Sequence, residues 1–360
     1  MEQNRAGDLP VPLRLPLLIL GFMSLISGVL AGLARLGWAV PLPSPQALLL
    51  HGPLMVCGFF GTVIGLERAV ALGRRWAYLG PLLCGLGGLA LLLGQPWQSG
   101  AALLSGGSAV LLAATLHVVR RQRELFTATL ALGAASWLLG NLLWLGGMPP
   151  AVVVALWMNF LVLTIAGERL ELSRFLPPSP RAKTVFLLIV AVLLAGSVAV
   201  LLQQWESIYG LGLAALALWL LRQDIARRTV RERGLTRFIA VCLLSGYAWL
   251  AVGGVILLAS GGLHGGGYDA ALHAVLLGFV FSMVFGHAPI IFPAVVRVRM
   301  PWHWTFYLPL LVLHVSLFLR LAGDWQGDAR LLAAGGMVNA AALALFILST
   351  LSSVFRGARR

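Results

Sequence analysis

The sequence has few charged residues, and this excludes a soluble protein. Only 11% of its 360 residues are Asp, Glu, Lys or Arg, whereas 59% are hydrophobic. A soluble fold with that composition would have too little polar surface to face water. What the sequence has instead is a series of long apolar runs, and a bilayer-spanning helix needs roughly 20 apolar residues. Twelve such runs are predicted, at residues 12–37, 46–72, 76–95, 99–119, 125–146, 149–171, 183–203, 206–222, 236–260, 268–295, 303–321 and 329–354. Because the connections are short, residues 1–360 are predicted to form a single all-α polytopic transmembrane domain.

Acidic residues are also scarce, and the basic residues follow a topological pattern. The net charge of +14 comes from 26 Lys and Arg against 12 Asp and Glu. Basic residues collect in the loops after even-numbered spans, whereas only Arg35, Arg320 and Arg330 lie on the opposite side. Basic loops stay in the cytoplasm. We therefore predict cytoplasmic termini, a multi-pass location in a bacterial inner membrane, the lipid bilayer as the partner of the surface, and no nucleic-acid partner.

Cysteine is rare, and its placement excludes two kinds of metal site. Cys57, Cys84 and Cys242 all lie inside predicted spans, and no Cys-x-x-Cys or Cys-x-x-Cys-His occurs. Structural zinc and covalently attached haem are therefore disfavoured, and the cysteines are interpreted as small packing residues. The sequence also lacks a catalytic triad, a phosphate-binding loop and a paired intramembrane acid. It does not decide whether the protein is an enzyme.

Two histidines lie a few residues inside the predicted outer ends of different spans. They are His51 in the second span and His273 in the tenth. An ionisable ring in hydrocarbon is costly, so such a residue marks a functional site by default. Two imidazoles at one membrane depth are what a six-coordinate haem iron requires. The pair therefore predicts haem ligands.

Small residues follow His51 along one face of its span. At about 100° per residue, Met55, Gly58, Thr62 and Gly65 share a stripe with His51. The two glycines of this stripe would leave a flat groove on the helix surface. A planar haem could lie in that groove, and Gly58 and Gly65 would then be cofactor-binding residues. Close packing against another helix is the alternative, because small residues commonly serve that purpose in membranes.

Further histidines provide additional candidate ligands. His287 lies 14 residues after His273 (287 − 273), on nearly the same face of the tenth span. A second haem with two histidine ligands is not expected, since the second span carries Glu67 where the partner would be. His287 is therefore either a metal ligand or a buried hydrogen-bonding or proton-path group. His264, in a glycine-rich outer loop, could assist metal entry or be an ordinary loop residue.

His314 lies within the eleventh span. It could be a further metal ligand, or it could pack against a polar group such as Asn141 or Tyr247. His117 and His303 are predicted at the inner membrane interface, where polar aromatic side chains are common.

A short motif suggests an internal repeat. Glu67-Arg68 ends the second span and Glu168-Arg169 ends the sixth, 101 residues later (168 − 67). His287 occupies a comparable place in the tenth span. Spans 2, 6 and 10 are four helices apart, which suggests three four-helix units. The alternative is that Glu-Arg is only an interfacial charge pair.

These residues resemble the catalytic subunit of haem–copper oxidases. That subunit has about twelve spans, and one histidine from each of spans 2 and 10 binds its low-spin haem. The fragment His51-Gly52-x-x-Met55 is similar to its second helix. This chain has no His-His pair in span 7, no His-x-His in span 10 and no histidine in span 6. The oxygen-reducing copper site is therefore not carried over.

The NnrS-type family of haem- and copper-containing membrane proteins is a second resemblance. Its early motif is similar to His51 followed by Met55-Val56-Cys57-Gly58-Phe59, and its late motif to His273-Ala274 … Gly278 … Met283 … Gly286-His287. In place of the second histidine and the glutamate common there, this chain has Gly52 and Pro53. The resemblance implies a b-type haem, copper, and a role in nitric oxide, nitrosative stress or denitrification. An electron donor or a small gas such as nitric oxide would be the partner.

Two other classes stay open. A proton-coupled transporter with twelve helices could use His287, Glu67 and Glu168 as its proton route. The other class is an assembly or sensor protein that binds no haem. An absorption spectrum separates both from the haem hypothesis.

Overall fold

The fold is known from a computed structural model, which describes residues 8–172, 178–261, 263 and 267–358. His264 lies outside the described residues. All regular secondary structure in the described part is helical. Twelve long helices are named here α1 to α12. They are, in order, Val11–Arg35, Pro53–Leu72, Arg75–Leu92, Trp97–Arg121, Leu125–Leu145, Pro150–Leu172, Pro180–Leu201, Ser207–Gln223, Gly234–Ala259, Tyr268–Val296, Trp304–Gln326 and Ala329–Ala358.

The helices match the twelve predicted apolar runs, which confirms a polytopic helical membrane protein. Eleven of the helices in the described residues are long and apolar enough to cross a membrane. The exception is α8, with 17 residues, or about 26 Å at 1.5 Å per residue. That length is at the lower limit for a hydrocarbon core of about 30 Å. An even number of crossings, and with it the prediction that both termini share one side, depends on α8.

The chain divides into two compact units. One comprises Met1–Gly167 with Ala294–Arg297, and the other Glu168–Pro293 with Val298–Arg360. In the first, α3 packs on α1, α2 and α4, and α4 packs on α5. In the second, α8 packs on α7 and α9, α9 on α10, and α11 on α12. The boundary between Gly167 and Glu168 falls within α6. The two units therefore do not correspond to the predicted units of four helices.

Two helices contain an unusual wide turn. The first eight residues of α2, Pro53–Phe60, form a π-helix, and so do Ala274–Phe281 of α10. Each π segment starts within two residues of a predicted ligand, His51 or His273. π-Helical turns are rare and frequently occur at functional sites. The local geometry therefore distinguishes the same two positions as the sequence.

Small residues of α1 let it lie close to α2. Added Cβ atoms at Gly21 and Gly28 would meet Thr62 and Met55, the latter with its Sδ only 2.8 Å away. A side chain at either position would require Met55 or Thr62 to shift. Met55 and Thr62, two residues of the stripe predicted along α2, are therefore covered by α1.

A buried ion pair fastens the end of α6. Arg169 binds the carboxylate of Asp224 in a bidentate manner, with Nε–Oδ2 and Nη2–Oδ1 distances of 2.6 and 3.0 Å. The Tyr247 hydroxyl donates to Oδ2 at 2.5 Å, and the amide of Ala226 donates to Oδ1 at 2.7 Å. Arg169 thus has a strong partner far away in the sequence, which the Glu168-Arg169 motif did not suggest.

A second buried arginine holds the start of α1. Arg14 is 1% exposed. It donates to the carbonyl groups of Leu9 and Val295 at 2.8 and 2.7 Å and to Asp8 at 2.6 Å. The Tyr78 hydroxyl also donates to Asp8, at 2.5 Å. These contacts fix the residues that precede α1 against the first unit.

Candidate functional site

His51 is oriented by α1. Its Nδ1 lies 2.7 Å from the carbonyl oxygen of Gly28. A carbonyl only accepts hydrogen bonds, so Nδ1 carries a proton, and in the neutral ring Nε2 then carries the lone pair. Gly32 makes room for the ring, because a Cβ there would lie 2.9 Å from both Cε1 and Nδ1. Helix α1 therefore supplies both the acceptor and the space that set the tautomer and direction of His51.

His273 has the same tautomer by a different route. Its Nδ1 lies 2.7 Å from the carbonyl oxygen of Asp269, one turn earlier in α10. The Oδ1 atom of Asp269 is 3.2 Å from the same nitrogen. Nδ1 therefore carries a proton here too, and in the neutral ring Nε2 carries the lone pair.

An arginine on α11 completes this group. Arg320 Nη2 donates to Oδ2 of Asp269 at 2.6 Å. Arg320 is only 5% exposed, and Asp324 interacts electrostatically with Asp269, Arg320 and His273. Sequence reasoning missed Asp269 and Arg320. The available signal was that Arg320 is one of three basic residues on the side predicted to face outward.

The two histidines therefore have matching local chemistry. Each donates from Nδ1 to a backbone carbonyl, and a π segment begins within two residues after each. Histidines that bind metals almost always donate their other ring N–H in this way, which fixes the ring and raises its basicity. Each ring, taken by itself, has the donor chemistry that an axial ligand of a haem iron requires.

Larger ligand groups do not occur in the described residues. No three or more His, Cys, Asp and Glu side chains there are arranged to hold a metal ion. The predicted ligand His287 places its Nδ1 2.9 Å from the carbonyl oxygen of Met283, one turn earlier. Its assignment to a metal or to a proton path stays a prediction.

His314 packs against a tryptophan. Trp249 Nε1 donates to Nδ1 of His314 at 3.0 Å, and the two rings stack with centroids 6.3 Å apart. The polar partner described for His314 is thus Trp249, which differs from the two examples, Asn141 and Tyr247, that the sequence suggested. Nε2 of His314 carries the proton and is buried without a hydrogen-bond partner. A metal could bind this ring only after it loses a proton or the Trp249 bond, so metal binding by His314 stays a prediction.

The predicted groove glycines are used for helix packing. A Cβ at Gly58 would lie 2.7 Å from Ser24 Oγ on α1, and one at Gly65 would lie 3.3 Å from Pro81 on α3. Packing, the alternative left open by the sequence, accounts for both glycines. A haem contact at either stays a prediction.

The cysteines are free and buried, as expected for packing residues. Cys57 also joins a polar group within the first unit. Its thiol donates to Asn141 Oδ1 at 3.2 Å, and Trp137 Nε1 donates to its sulfur at 3.4 Å. These bonds satisfy polar groups deep in the helical bundle, where an unpaired group is costly.

The site lies within one family domain. Residues 14–355 match the family described as Domain of unknown function (DUF8744). The chain belongs to the DUF8744 family. The match includes part or all of each of the twelve helices, with both His51 and His273. Among curated proteins, no match is found.

Proposed function

We propose that this DUF8744 protein binds a b-type haem through His51 and His273 and resembles the NnrS-type and haem–copper oxidase-like proteins. The observation that supports it is the shared setting of the two rings. In each, Nδ1 donates to a carbonyl oxygen 2.7 Å away and a π segment follows. The proposal places the protein in a bacterial inner membrane with cytoplasmic termini.

The residues around the histidines have defined tasks. A b-type haem supplies a one-electron couple and, where an axial ligand leaves, a place for a diatomic gas. The Gly28 carbonyl and the Asp269 main chain hold the two rings in the tautomer that presents Nε2. Gly32 leaves space for the His51 ring. Fixed rings favour electron transfer, because bound iron then needs little rearrangement.

The physiological part of the proposal follows from that chemistry. A protein with two firmly held ligands passes electrons from a donor, whereas release of one ligand would allow nitric oxide to bind. We therefore propose a role in nitric oxide handling, nitrosative stress or denitrification-related metabolism. Copper, which the resemblance to NnrS-type proteins also implies, stays a prediction.

An absorption spectrum of the purified protein tests the proposal. The wild type should show the Soret band and the sharp reduced bands of low-spin haem. His51→Ala or His273→Ala should each remove a ligand and with it most of the haem. His117→Ala and His303→Ala are matched controls and should leave the spectrum unchanged.

Two outcomes would count against haem binding. One is a wild-type protein, purified from haem-replete cells and supplied with haem, that shows no Soret band. The other is an unaltered low-spin spectrum in His51→Ala. Proton-coupled uptake by vesicles containing haem-free protein would instead support the transporter reading.

A further inference from the structure

We propose that Asp269 and Arg320 are positioning residues that set the electron-donating strength of His273. This inference rests on the proposed haem ligation. The three side chains form a chain of contacts within the second unit. Arg320 binds the Asp269 carboxylate at 2.6 Å, and that carboxylate lies 3.2 Å from Nδ1 of His273.

The geometry of Asp269 is suited to act on the imidazole. Its main-chain oxygen receives the Nδ1 proton at 2.7 Å, and its side-chain oxygen lies beside the same proton. A carboxylate beside the N–H pulls the proton away from the ring and makes Nε2 a stronger donor. A stronger donor stabilises ferric over ferrous iron and lowers the reduction potential.

Arg320 opposes this effect. Its guanidinium is buried and donates a hydrogen bond to Oδ2 of Asp269, whereas Oδ1 is the oxygen that lies near His273. The positive charge of Arg320 therefore offsets part of the negative charge of the carboxylate. Space for the stem of Arg320 comes from Gly335, where a Cβ would lie 2.8 Å from its main-chain nitrogen and 3.0 Å from its Cγ. A buried charge is costly without a partner. The ion pair thus holds Asp269 in place and moderates its pull on His273.

Nδ1 of His51 contacts the main chain of α1. That nitrogen donates to Gly28, a neutral main-chain acceptor. The contact described for Nδ1 of His51 is thus to a main-chain carbonyl, whereas those described for Nδ1 of His273 also include the carboxylate of Asp269. A shift in the reduction potential distinguishes a tuning role from an ion pair that only joins α10 to α11, because a purely structural ion pair would leave the potential unchanged.

Potentiometric titration of the haem measures the effect. Asp269→Asn should raise the midpoint potential, and Arg320→Gln should lower it. A tenfold change in the preference for ferric over ferrous iron corresponds to 59 mV for one electron. Asp324→Asn controls for the field of a nearby charge and should shift the potential less than Asp269→Asn. Asp328→Asn should leave it unchanged, since its carboxylate caps the start of α12 by accepting from Arg330 and Leu331.

A double substitution, here called the paired variant, keeps the test informative if Asp269→Asn alone misfolds. Asp269→Asn with Arg320→Gln removes both charges, so neither remains buried alone. It should keep the haem and raise the potential by less than Asp269→Asn alone. Equal potentials for the wild type, Asp269→Asn and the paired variant would overturn the tuning role even though haem binding stood.

Nitrogen NMR of the histidine rings provides a readout without haem. In haem-free protein labelled at the histidine rings, Nδ1 of His273 should carry the proton and show a strong hydrogen bond that weakens in Asp269→Asn but not in Asp328→Asn. If the wild type binds no haem, the proposed function fails. The NMR result then decides separately whether Asp269 positions His273, and an unchanged ring signal would overturn that role as well.

Discussion

Gly32→Ala is the sharpest test of how α1 holds His51. A Cβ at this position would lie 2.9 Å from Cε1 and Nδ1 of the ring, against the 3.4–4 Å of ordinary contact. The ring can turn away, but only by giving up its 2.7 Å hydrogen bond to Gly28. The substitution should therefore change the direction of Nε2 without removing the histidine.

The expected loss of stability follows from three contributions. Forcing an extra methyl group into a packed contact costs about 1–3 kcal/mol, and loss of the hydrogen bond costs about 0.5–1.5 kcal/mol. Replacing a helical glycine by alanine returns about 1 kcal/mol. The net effect is a destabilisation of about 0.5–3.5 kcal/mol.

Gly52→Ala is the matched control. Gly52 is next to His51 and helical, with φ −60° and ψ −54°, and a Cβ there would meet no atom within 4 Å. It should be neutral or stabilising by up to about 1 kcal/mol. Thermal unfolding in detergent and the haem spectrum are the measurements. Gly32→Ala should unfold earlier and lose low-spin haem, and equal behaviour of the two variants would refute the reasoning.

Three other predictions concern topology and buried charge. Reporter fusions after Arg123 should be cytoplasmic and those after Gln98 external, and two neighbouring loops on one side would contradict the span count. Asp224→Asn should destabilise the protein by about 3–5 kcal/mol, because it leaves a buried arginine without its counter-charge. Tyr247→Phe, which removes one hydrogen bond, should cost about 0.5–1.5 kcal/mol, and similar unfolding of these two variants would show that the ion pair is weak. Glu67→Gln should lower stability modestly and spare any haem signal, whereas loss of proton-coupled uptake with intact folding would favour a transporter.

The helices could be predicted from the sequence because hydrophobicity alone sets their positions. The run 149–171, for example, corresponds to Pro150–Leu172. The start of the second helix could not be predicted in detail. There the chain passes from a 3₁₀ segment at Pro45–Leu50 to a π segment at Pro53–Phe60. Apolar composition is the same in all of these conformations, so it does not reveal the change in helical pitch.

The candidate site could be predicted only in part. A histidine in an apolar run is visible in the sequence, and His51 and His273 were found in this way. Their partners were not, because the acceptor of His51 is a main-chain carbonyl on another helix, at Gly28. Asp269 and Arg320 are 51 residues apart. Such pairs arise from tertiary packing, which periodicity within one helix does not encode.

Unequal helix lengths have a consequence for the surrounding lipid. Helix α8 has 17 residues and α12 has 30, or about 26 and 45 Å at 1.5 Å per residue. A short span draws the headgroups inward or thins the bilayer, whereas a long one tilts or extends beyond it. The annulus around this protein should therefore vary in thickness around its circumference. Reconstitution in lipids of graded acyl-chain length should show greatest stability in chains that suit α8 without forcing α12 into a steep tilt.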